Sequence, residues 1–169
     1  MWVALNAEIL DEDEYPPLSV GATFRDVVLV FVADESQPST SAPMIAPVEE
    51  FPRDPTGLPR YVVCADVHLL GPYESTDKQF HSFVHGVASL DGLAFEVIMP
   101  RVGSLSDGSR VMLRGNFVVV RSFEGPTKRT RAAATDYTVS DLIVIDRLVD
   151  GSPSEWWVAL TPAPNSPIP

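Results

Sequence analysis

Two Asp-Gly dipeptides in the middle of the chain, Asp91-Gly92 and Asp107-Gly108, separate runs of apolar residues. An Asp-Gly pair tolerates the positive φ angles of a tight hairpin turn and is a strong short-range signal for one. The runs beside these turns are rich in Val, Ile and Phe, which suit a pleated, half-buried strand. No segment keeps the apolar period of an α-helix over three turns. The sequence therefore predicts an all-β fold.

Five strands are predicted in one continuous region, at residues 61–70, 80–90, 93–100, 110–122 and 137–149. Gly115 interrupts the longest of them, which indicates a bulge or a bend where a curved sheet turns. Five strands with such a bend are sufficient for a small antiparallel barrel, closed or partly open. An antiparallel β-sandwich is the alternative that the same pattern allows.

The rest of the chain is divided around this region. Residues 1–36 are interpreted as an extra N-terminal β-unit docked on the main domain, because two strands alone are marginally stable in water. Residues 37–60 hold six prolines and are predicted to form a loop or linker. The main barrel domain is assigned to residues 61–160, and residues 161–169 form a Pro-rich tail.

The order and spacing of the five strands, with the bend at Gly115, resemble the OB-fold, a five-stranded Greek-key barrel. The resemblance covers about half of the chain and rests on no sequence motif. It implies that ligands bind on the second and third strands and on the loops after the first and fourth strands, here residues 71–79 and 124–136. One departure from the OB-fold is that residues 101–107, which have no clear helical pattern, connect the third and fourth strands.

The net charge of the chain is −11, from 12 basic and 23 acidic residues. A strongly acidic surface repels phosphates and attracts basic surfaces at long range. The acids concentrate in the first 56 residues, where eleven acids stand against two bases. Opposite charges that face each other within one molecule are the simpler explanation of this asymmetry. As a functional reading, we expect a non-enzymatic binding or adaptor module whose partner is a protein and which uses no cofactor.

A basic window suggests an alternative function, the binding of single-stranded nucleic acid. Residues 101–131 carry seven bases and two acids, and single-stranded nucleic acids bind grooves that combine basic residues with aromatic stacking surfaces. A sequence pI near 4.5 argues against this alternative, because nucleic-acid-binding domains are usually basic. The ligand contacts that it predicts are the basic 121–131 loop and residues near the first loop: Arg121, Lys128, Arg129, Arg131, Tyr73, Lys78 and Phe80.

The segments at residues 1–5 and 156–160 share the residues Trp-Val-Ala-Leu, a match too short to establish a repeat. Trp156 and Trp157 lie in the second segment. Tryptophan is frequent among the hot spots of interfaces, so these two residues are candidate contacts with a protein partner. Anchoring the segment to the core is the other role open to them.

Catalytic and metal-binding patterns are weak in this sequence. His81 and His85 share a strand face, but four residues of strand span roughly 13 Å, which is too far for both to bind one metal ion. Cys64 lies between apolar neighbours, as expected of a small buried side chain. The acids at residues 11–14 lack the layout of a calcium loop. No phosphate-binding loop or nucleophile motif occurs, so neither an enzyme nor a metal site is predicted.

The chain has one cysteine and no signal-peptide pattern at its start, which favours the cytoplasm. The longest apolar run, residues 27–33, is much shorter than the roughly 18–20 residues that cross a bilayer. We therefore expect a soluble cytoplasmic protein.

Overall fold

The computed structural model describes residues 1–6, 18–48, 59–73, 82–103, 105–121 and 135–163. These residues form strands and no helix, which confirms the all-β prediction. None of the described residues therefore belongs to a helix long and apolar enough to cross a membrane. The strands are β1 Trp2–Asn6, β2 Thr23–Pro38, β3 Met44–Pro47, β4 Tyr61–Pro72, β5 Phe83–Leu90, β6 Leu93–Pro100, β7 Ser109–Arg121, β8 Thr135–Arg147 and β9 Pro153–Pro162.

Five of these strands close into a barrel. β4, β5 and β6 form an antiparallel meander in which each strand pairs with the next. β7 pairs with β4, and β2 joins β7 to β6, antiparallel to β7 and parallel to β6. The ring is complete, so the predicted small barrel is confirmed and the β-sandwich alternative is not adopted.

The barrel differs from the prediction in one strand. β2 takes the fifth place, which the sequence pattern assigned to residues 137–149, and its parallel pairing with β6 departs from a purely antiparallel barrel. The physical reason is that β2 is apolar on both faces. Leu29 and Phe31 belong to the main core, whereas Val28 and Val30 form a second buried cluster. A strand that is buried on both faces suits a central position with neighbours on both edges.

β8, β9 and β1 extend the sheet from the start of β2. β8 pairs with β2, β9 pairs with β8, and β1 pairs with β9. The two matching Trp-Val-Ala-Leu segments are therefore neighbours in the sheet, with Val3 directly opposite Val158. On the other side of β1, the hydroxyl of Tyr61 accepts a hydrogen bond from the Trp2 amide at 2.8 Å.

One continuous core fills the barrel and reaches under β1, β8 and β9. The ring of Phe117 is a centre of this core and lies edge-on to three other rings. Its centroid is 4.8 Å from that of Phe31, 5.4 Å from that of Tyr61 and 5.4 Å from that of Phe95. Edge-to-face aromatic pairs at these distances add stability beyond their buried area. Because Val3 of β1 belongs to the same core and is 0 % exposed, the terminal strand and the barrel form one packing unit.

The Asp91-Gly92 turn has the predicted geometry. It is a two-residue loop between the facing residues Leu90 and Leu93, with φ of 51° at Asp91 and 81° at Gly92. Positive φ at both central residues is the pattern of a type I′ turn, whose twist matches that of the paired strands. β5 and β6 are therefore a tight hairpin.

Gly115 lies at an irregularity, as the sequence predicts, and the extra residue is on the neighbouring strand. The pairing of β2 with β7 shifts register between Ala33 and Glu35, opposite Gly115. A Cβ on Gly115 would collide with the carbonyl of Val32 and would lie 2.8 Å from the Cα of Ala33. Only glycine therefore lets these two strands approach so closely.

The Pro-rich region of residues 37–60 is described in part and contains a short strand. β3 pairs with the beginning of β4, and Cys64 of β4 is buried with its Sγ 3.5 Å from the Oγ of Ser39. Residues 49–58 and 164–169 lie outside the described residues. The division of the chain into four units stays a prediction.

Candidate functional site

A cavity lies at one end of the barrel, between the end of β4, the start of β5 and the β6–β7 connection. Its volume is about 420 Å³, which is in the range of ligand pockets. Its described lining residues come from separate segments of the chain: Leu69, Gly71, Pro72, Ser82, Phe83, Val84, Arg101, Val102, Gly103 and Leu105.

The end of β4 forms one wall of this cavity and is shaped by Gly71. The pairing of β4 with β5 shifts register between Leu69 and Gly71. Gly71 has a φ of 141°, which residues with a side chain rarely adopt. Just after the strand, the amide of Tyr73 donates to the carbonyl of Phe83 at 3.0 Å. Because a bulge bends the strand that carries it, β4 bends where it reaches the cavity.

The β6–β7 connection, residues 101–108, forms another wall. The amide of Arg101 donates to the carbonyl of Ser82 at 2.9 Å, which ties the connection to the start of β5. The carboxylate of Asp107 accepts a hydrogen bond from the amide of Leu69 at 2.8 Å, which ties it to β4. The described part of the connection has turns and no helix. In the described residues, therefore, no helix covers this end of the barrel.

Most of the cavity lining is apolar and continuous with the core. Leu69, Val84 and Leu105 pack against the main core cluster, and Val102 is half-buried. Arg101 is exposed and is the one charged residue among the described lining residues. The arrangement can hold an apolar group of a ligand with a single positive charge beside it.

A polar cluster lies nearby on β5, β6 and the end of β4. The Nε2 of His85 is 2.8 Å from the Oε2 of Glu96, and Glu96 is 5 % exposed. The ring of Tyr73 meets the ring of His85 edge-on, with centroids 6.3 Å apart. The other carboxyl oxygen of Glu96, Oε1, has no hydrogen-bond partner among the described residues. A carboxyl group buried this deeply needs a hydrogen-bond partner, and the ring of His85 supplies one to the Oε2 of Glu96.

A second cavity, of about 300 Å³, is lined by parts of β2, β4 and β7. Its described lining includes the oppositely charged residues Glu35 and Arg114. Throughout the part of the chain that the structure describes, no three His, Cys, Asp or Glu side chains are grouped so that they could hold a metal ion. Neither the cavity nor the distribution of these side chains assigns a reaction to the protein.

The structure locates part of the predicted nucleic-acid site. Tyr73 lies at the cavity end of the barrel, beside His85. Arg121 ends β7, where its backbone pairs with Val27 of β2, and Thr135 at the start of β8 pairs with Val27 from the other side. The predicted contacts that lie outside the described residues are the side chain of Arg121 and the whole of Lys78, Phe80, Lys128, Arg129 and Arg131.

The two loops that the OB-fold resemblance singles out begin toward opposite ends of the barrel. β6 runs from Leu93, beside the hairpin turn, to Pro100 at the cavity end. β2 runs parallel to β6 with Val30 opposite Glu96, so Val27 lies toward the turn. At about 3.3 Å per residue, the ends of the basic connection are therefore roughly 20 Å from the cavity along the strands.

Both tryptophans of β9 are held within the fold. Trp157 is 2 % exposed, and its backbone is opposite Ala4 of β1 and Ile143 of β8. Trp156 is half-buried and packs against the main core. These positions suit anchoring of the strand, and a role for the two residues in a partner interface stays a prediction.

Two arginines in the described residues are paired with acids. Arg110 donates two hydrogen bonds of 2.8 Å to the carboxylate of Asp66, and Arg60 pairs with Asp34. The hydrogen bonds from Arg110 hold the pKa of Asp66 below its ordinary value. These pairs neutralise part of the charge within the molecule.

The OB-fold resemblance singled out residues 71–79, of which Gly71 and Pro72 line this cavity, but no sequence pattern predicted the cavity itself. Its lining residues are separated along the chain and share no motif, because they meet only where the end of β4, the start of β5 and the β6–β7 connection converge. The one sequence feature that could have indicated an open barrel end is the β6–β7 connection, which is too short and too irregular to form a covering helix.

Comparison with known proteins does not identify a relative. No protein-family model matches the chain, and no curated protein or solved structure matches it either. The function of this protein is therefore inferred from its own residues and contacts.

Proposed function

We propose that the protein is a non-enzymatic binding module that engages a protein partner through the barrel-end cavity. The observation that carries the proposal is the apolar lining of the cavity, in which Phe83, Val84 and Val102 are only half-buried. Covering such side chains contributes roughly 25 cal/mol per Å² of apolar surface removed from water. A partner would insert one apolar side chain into the cavity, as hot-spot residues do in protein interfaces.

The charge and the cysteine content of the chain support the same proposal. A net charge of −11 attracts a basic protein at long range and increases its rate of association. Cys64 is a buried free thiol, and a chain without a second cysteine is typical of a reducing compartment. We therefore propose a cytoplasmic adaptor that needs neither a cofactor nor a catalytic group.

A peptide selection with cavity variants tests this proposal. The immobilised full chain is panned against a random-peptide library, and the affinity of each enriched peptide is measured by fluorescence anisotropy. Val102→Trp fills the cavity, whereas Val149→Trp adds the same side chain at a fully exposed position between β8 and β9. We expect binding to Val102→Trp to be about tenfold weaker, as for a hot-spot contact, and binding to Val149→Trp to be unchanged.

Circular dichroism of both variants serves as the folding control for this selection. Equal affinities of the peptides for Val102→Trp and the wild type would contradict the role of the cavity. Failure to enrich any peptide with the wild-type chain would contradict binding of a protein segment altogether.

We propose single-stranded nucleic-acid binding as the alternative function. Its support is the basic window, seven bases against two acids in residues 101–131. The backbone pairing of Arg121 and Thr135 on either side of Val27 also ties both ends of the basic connection to one place on the barrel. A basic segment held in this way would supply the electrostatic part of a single-strand site.

Fluorescence anisotropy of a labelled oligothymidylate at low and moderate salt tests the alternative. If nucleic acid is the ligand, binding is saturable and weakens as salt rises. Lys128→Glu with Arg129→Glu should then lower the affinity and flatten the salt dependence. Arg147→Glu, in β8 and outside the basic window, is the control. The absence of binding at low salt would exclude this alternative.

A further inference from the structure

The positive charge beside the barrel-end cavity is not engaged by a described acid. Arg101 is exposed, and no carboxylate among the described residues forms an ion pair with it, whereas Arg60 and Arg110 are both paired. Asp107 is the one acid in the β6–β7 connection, and it already accepts the amide hydrogen bond of Leu69. Within the described residues, the guanidinium of Arg101 is therefore available to an anionic group of a ligand.

Two glycines in the cavity lining leave the backbone accessible. Gly71 has a φ of 141° and Gly103 a φ of 37°, and a Cβ built on either residue would meet no atom within 4 Å. Glycine is used where a ligand approaches the main chain closely, because it presents no side chain there. A ligand in the cavity can therefore bring a polar end group against this backbone, beside Arg101.

We propose that the cavity binds the C-terminal residue of the partner protein, with the apolar side chain inside and the terminal carboxylate paired with Arg101. This inference rests on the proposed function. A C-terminal residue carries an apolar side chain and a carboxylate on the same Cα, which matches an apolar cavity that has one cation beside it. An internal segment of a partner presents this combination only when an acidic residue happens to adjoin the apolar one.

The net charge of −11 does not oppose this contact at short range. At physiological ionic strength, exposed charges are screened over about 8 Å, whereas a charge-assisted hydrogen bond acts at contact distance. The body of the partner can therefore be basic and attracted by the acidic surface, while its single terminal carboxylate is selected by Arg101.

Two forms of one peptide library separate this inference from the proposed function. In the first form the random residues end in a free carboxylate, and in the second form the same residues end in an amide. We expect enrichment from the free-acid form, with apolar residues at the last position. The amide form of each selected peptide should bind about tenfold more weakly, because it loses a hydrogen bond to a charged group.

The outcomes of this comparison differ for the two proposals. If free-acid and amidated peptides bind equally, the C-terminal inference fails and the proposed function stands. If neither form of the library yields a binder, both fail.

Arg101→Gln tests which residue recognises the carboxylate. It should lower the affinity for the free-acid peptide about tenfold and leave the affinity for the amide peptide unchanged. The substitution and the amidation remove the same contact, so their effects do not add. Arg147→Gln, whose guanidinium bonds to the carbonyl of Gly151, is the matched control and should change neither affinity. If Arg101→Gln lowers the affinities for the free-acid and amide peptides equally, the carboxylate is not recognised by this residue.

Octanoate, an apolar chain with a carboxylate and no peptide group, tests the source of the anion. We expect it to compete more weakly than the selected peptides, because it lacks their contacts with the backbone. If octanoate displaces a peptide at an octanoate concentration below the Kd of that peptide, a free fatty acid is the better ligand and the peptide assignment is overturned.

Discussion

Among individual residues, Arg110 controls the protonation of Asp66 through direct hydrogen bonds. They are opposite each other on β4 and β7, and the two 2.8 Å hydrogen bonds from Arg110 hold the pKa of Asp66 below its ordinary 3.8. The unfolded chain therefore binds this proton more readily than the folded one. The stability that the pair contributes is present above pH 3.8 and is lost as the pH falls through the lowered pKa of Asp66.

Arg110→Gln should raise the pKa of Asp66 toward its ordinary value, because both hydrogen bonds of the guanidinium and its charge are removed. An NMR titration of the side-chain carboxyl carbon measures this pKa. In Arg147→Gln, which leaves the Asp66 contact intact, the pKa of Asp66 should stay as in the wild type. If Asp66 titrates at the same pH in the wild type and in Arg110→Gln, the hydrogen bonds do not set its pKa.

Among the strands, β1 depends on a side chain from the barrel. It is the terminal strand of the described sheet and pairs along one edge, with β9. On the other edge, the hydroxyl of Tyr61 accepts from the amide of Trp2 at 2.8 Å and donates to the carbonyl of Trp2 at 3.3 Å. Open edges of sheets readily pair with other chains. The Tyr61 hydroxyl forms hydrogen bonds with the amide and carbonyl of Trp2 on this edge and so attaches β1 to β4.

Tyr61→Phe should lower the free energy of unfolding by about 1–2 kcal/mol, because it removes the hydrogen-bond partner of partly buried backbone groups of Trp2. Hydrogen exchange of the Trp2 amide should also become faster. Both quantities are measurable, the first by denaturant unfolding and the second by NMR.

Tyr137→Phe is the matched control for this change. Tyr137 is buried, its hydroxyl has no hydrogen-bond partner among the described residues, and burial raises its pKa to about 12. Removing an unsatisfied buried hydroxyl should leave the free energy of unfolding unchanged or increase it. Equal destabilisation by Tyr61→Phe and Tyr137→Phe would show that the contact with Trp2 does not stabilise β1.

For the molecule as a whole, the barrel is closed by a strand from a distant part of the chain. The Pro-rich region separates β2 from β4 along the chain, yet β2 pairs with both β6 and β7. Removing β2 would expose an edge of each of these strands and would remove Leu29 and Phe31 from the core. Residues 61–160 contain four of the five barrel strands, so we expect them to depend on the N-terminal region for their stability.

A fragment of residues 61–163 should therefore show no cooperative thermal transition by circular dichroism, whereas the full chain should show one. Mixing the fragment with a peptide of residues 18–48, which carries β2, should restore part of the transition. A dispersed NMR spectrum and a sharp transition from the fragment alone would instead identify residues 61–163 as an independent domain.

The strands that could be predicted from sequence are those with a strong local pattern. Asp91-Gly92 predicted the β5–β6 hairpin, because the dihedral preferences of two residues decide that turn. The apolar run of residues 27–33 has the composition of a strand that is buried on both faces. What the run could not reveal was its neighbours, because an apolar strand pairs equally well with any apolar strand of similar length.

The candidate site was harder to predict for the same reason. Tyr73 lies at the cavity end and Arg101 belongs to the basic window, but Val102 and Leu105 had no functional signal of their own. Aromatic and basic residues attract attention in a sequence, whereas a cavity arises from the space left between strand ends. Its position follows from the closure of the barrel and from the lack of a covering helix in the described part of the β6–β7 connection.

The amino-acid sequence by itself determined the all-β class, the hairpin, and the irregularity at Gly115, because turn preferences, two-residue periodicity and the absence of a Cβ act over a few residues. Tertiary structure alone decided that β2 closes the barrel and that the two Trp-Val-Ala-Leu segments are neighbours in the sheet. Pairings such as Val30 with Glu96 join residues far apart in the chain. They are selected by the burial of the whole core, which no local pattern contains.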